Sequence, residues 1–113
     1  MAFTLDQTDS YSWPVELEVA GDGGKFERHS FDIRFRRLTQ SRIDALAEAG
    51  RTGDQTDRDT CKELITGWNG IDQGGDSLPF SQGALDRLLD IAGAPQAIIL
   101  AWAESLQGAR RKN

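Results

Sequence analysis

The hydrophobic period of this chain changes once, close to Leu38. Before that point Trp13, Val15, Leu17 and Val19 alternate with Pro14, Glu16 and Glu18, and Phe31, Ile33 and Phe35 alternate with Asp32, Arg34 and Arg36. A period of two sends successive side chains to opposite faces of a strand. Gly21-Asp22-Gly23-Gly24 separates the two runs and supplies residues that tolerate the positive φ of a hairpin turn. After Leu38 the apolar residues recur at helical spacing instead. Strands and helices are therefore segregated rather than alternating. That predicts an α+β fold, with an N-terminal antiparallel β-hairpin followed by about four α-helices.

The individual elements can be read further. Residues 1–12 are polar apart from Phe3 and Leu5 and predict an extended arm ahead of a single domain over 13–113. Pro14 fits a strand only near its start or on an edge. Phe26 is out of phase with Phe31, Ile33 and Phe35, so the strand either begins after it or carries a bulge near His29. Glu16 and Glu18 on one strand and Arg34 and Arg36 on the other suggest cross-strand ion pairs. Thr39 or Ser41 can cap a helix carrying Ile43, Leu46 and Ala47, which Gly50 would stop. Thr56 or Asp57 starts a second helix, with Cys61, Leu64, Ile65 and Trp68 on one stripe. Ser81 caps a third helix with Leu85, Leu88 and Leu89 inward, ended by Gly93. Pro95 suits the first turn of a fourth, which places Ile98, Trp102 and Leu106 in line and ends at Gly108.

Composition narrows the class. A chain of 113 residues makes one domain that buries roughly two-thirds of its unfolded surface. Cys61 is the single cysteine, so no internal disulfide can form. No apolar run approaches the ~20 residues that span a bilayer, and no signal segment precedes the fold. The expected location is the cytoplasm, with no membrane partner. The net charge of −5 opposes general nucleic-acid binding, which depends on neutralising phosphates. Positive charge nevertheless gathers over residues 25–53 and in the tail.

No reactive constellation survives scrutiny. Gly21-Asp22-Gly23-Gly24-Lys25 lacks both the leading glycine and the trailing hydroxyl of a phosphate loop. Asp72-Gln73-Gly74-Gly75-Asp76 begins like a calcium loop, but its twelfth position is Gly83 rather than a bidentate glutamate. Cys61 lies on an apolar stripe, and His29 is the lone histidine. Asp54, Asp57 and Asp59 precede a helix, where the dipole favours acids. Arg34, Arg36 and Arg37 interleave with Phe31 and Phe35, yet period two puts the aromatics on the face opposite Arg34 and Arg36, which argues against a base-stacking platform. The expectation is a non-enzyme without cofactor or metal.

Gly67-Trp68-Asn69-Gly70-Ile71-Asp72, a glycine-rich gap, Leu78-Pro79-Phe80-Ser81 and a leucine-rich helix form a distinctive run. It resembles the tail assembly chaperones of long-tailed, siphovirus-type bacteriophages and prophages. The last helix, with Ala97, Trp102 and Glu104 before Gly108-Ala109-Arg110-Arg111-Lys112-Asn113, resembles that family's C-terminal end. The resemblance covers most of residues 13–113 and makes Gly67, Trp68, Gly70, Asp72, Pro79, Phe80 and Ser81 the motif residues. It implies a small cytoplasmic morphogenesis protein of the bacterial host cell. Such a protein binds the tape-measure protein and keeps that long apolar helical chain soluble during tail assembly. Trp102, Leu106, Arg110 and Arg111 are then candidate partner-binding residues. Self-association would be compatible with coating a large partner. The family also implies a frameshifted longer product, and A-AAA-AAC, a slippery heptamer, is one of the sequences that can encode Lys112-Asn113 where the Arg111 codon ends in A.

Two other functions compete with this expectation. One is a structural tail component retained in the particle. The other is a small nucleic-acid-binding regulator that uses Arg34, Arg36, Arg37 and the basic tail.

Overall fold

The computed structural model describes residues 2–107. It is an α+β fold, as the change of period implied. Strands β1 (Ser10–Ala20) and β2 (Phe26–Arg36) form the hairpin, helices α1 (Gln40–Thr52) and α2 (Asp57–Leu64) follow, and β3 (Ile65–Asn69) returns to the sheet. A small hairpin of β4 (Asp72–Gln73) and β5 (Asp76–Ser77) leads to α3 (Gln82–Leu89) and α4 (Ala94–Ser105). The main sheet is ordered β1-β2-β3 and antiparallel throughout. The N-terminal arm is shorter than expected, because the strand already begins at Ser10. Phe3 and Leu5 stay exposed on it.

One face of the sheet is the core. Val15, Leu17, Phe31, Ile33 and Phe35 are buried against Leu64, Leu85, Leu88, Ile98 and Trp102. Each such side chain contributes roughly 1.5–3 kcal/mol relative to exposure. Helix α4 packs along β1, and α2 joins it to α3. Between α2 and α3, Arg58 reaches Asp90 at 3.3 Å and Lys62 reaches Asp86 at 3.0 Å.

Neither alternative for Phe26 holds: β2 begins at Phe26 itself, and no bulge lies near His29. Strands β1 and β2 keep one register from Ser10↔Arg36 to Ala20↔Phe26, so Phe26 simply lies on the open face. The register shift falls instead between Arg34 and Phe35, where β2 meets β3. The same register corrects the expected ion pairs. Glu18 opposes Arg28, with a contact of 3.4 Å, whereas Arg34 opposes Ser12 and Arg36 opposes Ser10.

The second helix is shorter than its apolar stripe suggested. It ends at Leu64, and Ile65, Thr66, Gly67 and Trp68 are strand residues of β3. β-branched Ile65 and Thr66 favour a pleated surface, and the free edge of β2 gives their backbone groups a partner.

Capping follows the sequence closely. The hydroxyls of Thr39, Thr56 and Ser81 accept from the amides of Arg42, Asp59 and Ala84. Asp59 completes a capping box by accepting from the Thr56 amide at 3.2 Å. Helix α1 runs through Gly50 and stops at Gly53 instead. Gly93 does not end α3, which closes at Asp90; it is the N-cap of α4, with Pro95 in the first turn. The expected end at Gly108 lies outside the described residues.

Candidate partner-binding groove

The motif residues are held together as one small assembly. Trp68 stands opposite Ile33 on β3, and its indole N–H donates to the Leu78 carbonyl at 2.8 Å. The Phe80 ring meets the indole edge-on, with centroids 5.0 Å apart and planes at 83°. Edge-to-face pairs of this kind add roughly 0.5–1.5 kcal/mol beyond area burial. The Leu78 amide donates to the Ile71 carbonyl at 2.8 Å, so the chain from Gly70 to Phe80 closes on itself. Gly70 has a φ of 87°, and a Cβ there would sit 3.6 Å from Phe31. The position thus favours glycine both by conformation and by its close approach to β2. Asp72 and Asp76 are exposed strand residues of the β4–β5 hairpin and make no hydrogen bond to the turn amides. Pro79 is exposed between the two anchors, and Ser81 caps α3.

A different region carries the open apolar surface. Two depressions of about 510 and 200 Å³ flank the same two side chains, Ile43 of α1 and Trp102 of α4. Leu38, Trp13 and Leu106 continue the apolar lining at one end, and Leu46, Ala47 and Ile99 at the other. Arg36 and Arg37 border the wider end. The result is a shallow trough between α1 and α4 with Trp102 as its shared wall.

The trough exists because α1 is lightly attached. Leu46 is its one buried residue, although Ile43 also packs against the core. An ion pair adds the other tie: Arg42 forks onto Glu63 of α2 through Nε at 2.7 Å and Nη2 at 2.6 Å. Arg42 hydrogen bonding holds the Glu63 carboxyl below the usual glutamate range, and Glu63 raises the Arg42 guanidinium in return. At the wide end, Tyr11 hydrogen-bonds Ser105 at 2.7 Å, and the Arg37 guanidinium lies 4.8 Å above the Tyr11 ring. Arg36 donates to the Glu63 carbonyl at 3.2 Å.

Of the residues singled out in the sequence, Trp102 and Leu106 meet at this trough, while Arg110 and Arg111 lie outside the described residues. The Trp68 motif lines neither depression. Sequence reasoning missed Tyr11, Leu38 and Ile43 as lining residues. Leu38 and Ile43 were visible as apolar residues at the strand-to-helix change, but their placement beside Trp102 depends on how α4 crosses the sheet.

Cys61 is fully buried, donates to the Pro95 carbonyl at 3.7 Å, and is pushed up to about 12 by burial. His29 sits on the exposed strand end beside Glu27. Among the described residues, no three His, Cys, Asp or Glu side chains converge as a metal site. No helix among them is long and apolar enough to cross a membrane. No family model, no curated protein and no solved structure matches this chain.

Proposed function

We propose that this chain is a phage tail assembly chaperone that binds the tape-measure protein and keeps it soluble during tail morphogenesis. The observation that carries the reading is the α1–α4 trough, where Ile43, Trp102 and Leu106 form an apolar strip that polar Gln7, Ser12 and Ser105 and two arginines border at the wide end. Amphipathic helices dock into surfaces of that kind, with apolar residues at helical spacing as anchors. The Gly67–Ser81 motif adds support through its resemblance to the chaperone family, and its Trp68 and Phe80 set how α3 leaves the sheet. The regulator reading draws less support, because Phe31 and Phe35 are buried on the face opposite Arg34 and Arg36.

The test is co-expression with the long helical protein encoded next to this gene. Wild-type chain should keep that partner soluble and co-purify with it. Ile43→Glu, which puts a charge into the trough from a half-buried position, should abolish co-purification while the variant itself stays folded. A partner that remains insoluble beside wild-type chain sinks the reading. Detection of the chain in purified particles would favour a retained structural component instead.

A further inference from the structure

Strand β1 is eleven residues long and, among the described residues, has a neighbour on one side only. Two hydrogen bonds fix which of its backbone groups face away from that neighbour. The Asp9 carbonyl accepts from the Arg37 amide at 2.8 Å, and the Gly21 amide donates to the Lys25 carbonyl at 2.7 Å. Both pairs continue the β1–β2 register, so the odd-numbered residues of β1 exchange hydrogen bonds with β2. In an antiparallel ladder the intervening residues direct their N–H and C=O groups outward. Ser12, Pro14, Glu16 and Glu18 therefore present their backbone at the free edge. Pro14 is tolerated there because its missing N–H would have pointed outward. Among the described residues, no backbone hydrogen bond from another segment covers these groups.

The edge also has a shaped and charged surround. A depression of about 470 Å³ straddles it, bordered by Trp13 and Pro14, by Glu16 and Glu18, and by Leu100 and Glu104 of α4. Leu100 is 63% exposed, large for an apolar residue on a packed helix. Glu16 and Glu18 border this space with one guanidinium, Arg28, which pairs with Glu18. Glu16 lies opposite Ser30 and has no basic neighbour across the strand.

We propose that the outer edge of β1 docks an extended, basic segment of another protein, which adds to the sheet beside β1. The backbone groups of Ser12, Glu16 and Glu18 supply the ladder, Leu100 receives an apolar side chain, and Glu16 and Glu18 select lysine or arginine at alternate positions on the opposite face. Strand addition of this kind takes affinity from main-chain hydrogen bonds and specificity from alternate side chains. Charge decides the occupant against a second copy of this chain. Strand β1 carries Glu16 and Glu18 and no basic residue, so a second β1 laid beside it would offer neither carboxylate a cation, and like charges across a ladder oppose pairing. This site adjoins the wide end of the α1–α4 trough, where Ser12 and Trp13 belong to both, but α1 takes no part in it and it does not depend on the chaperone reading.

The test uses a synthetic peptide of about ten residues alternating lysine with valine, a length matched to a typical long strand. Added to labelled protein, it should shift and protect the amides of Ser12, Glu16 and Glu18 while leaving those of α1 unchanged. The same peptide with alternate amides N-methylated keeps its charge and loses its ladder, and should not bind. Glu16→Gln, an exposed and conservative change, should weaken the parent peptide by up to about fivefold, the value of one cross-strand charge pair. Equal binding of the N-methylated peptide, or shifts confined to α1, would overturn the proposal. So would a dimer, seen by sedimentation without peptide, that protects the same three amides.

Discussion

The indole of Trp68 and the ring of Phe80 meet edge-on at 5.0 Å across a connection whose ends are β3 and α3. Trp68 is only half-buried, yet it both packs on Phe80 and donates to Leu78. The two roles are separable by substitution. Trp68→Phe keeps an aromatic ring and removes the donor, and should cost about 1 kcal/mol, the typical net value of such a hydrogen bond. Trp68→Ala removes both and should cost about 3 kcal/mol, the low end for loss of a large aromatic side chain. Urea unfolding of the two variants measures the difference. Equal losses would mean that ring packing contributes nothing beyond the hydrogen bond.

Helix α1 should open before the rest of the fold. It is tied by Leu46 and by the Arg42–Glu63 fork, whereas α2 and α4 bury several residues each. Elements with few buried apolar contacts unfold locally at lower free energy. Hydrogen exchange should therefore find α1 amides less protected than those of α4. Leu46→Ala should widen that gap and cost about 2–3 kcal/mol. Uniform protection across the two helices would contradict it.

How much of this was legible in the sequence depends on the range of the interaction involved. The β-hairpin, the caps at Thr39, Thr56 and Ser81 and the inward leucines of α3 are local matters, and local pattern reports them. Strand β3 is different. Leu64, Ile65 and Trp68 fit a helical stripe as well as they fit a strand, and what decides is the open edge of β2 some thirty positions earlier. The trough was hidden for that reason too, since Trp102 was legible as apolar but its neighbours Leu38 and Ile43 come from the other half of the chain.

Gly70 should resist substitution. Gly70→Ala places a Cβ in the left-handed region and 3.6 Å from Phe31. Ordinary contact at that distance leaves the backbone conformation as the main penalty, roughly 1 kcal/mol or slightly more. Thermal or urea unfolding reports the change, and a neutral outcome would show that the loop can relax around the new methyl group.

Acid should dissolve the tie between α1 and α2. The Glu63 carboxyl is lowered chiefly by hydrogen bonding from Arg42; burial is the next influence and opposes it, and the Arg42 and Arg36 charges lower it further. Asp59 is lowered too, chiefly by the hydrogen bonds of its capping box with Thr56. A carboxylate depressed in the native state adds stability that is fully present above its unfolded value and is lost as pH falls through its native value. At neutral pH, Glu63→Gln should therefore unfold at lower urea than wild type. The gap should stay constant down to about pH 4–5, near the ordinary glutamate value, and close below it as wild type takes up the proton. Glu63→Gln should also raise exchange in α1 more than in α3, because the lost contact is the one that holds Arg42. A gap that persists undiminished near pH 2 would mean that the Glu63 side chain stabilises the fold by packing rather than by its charge.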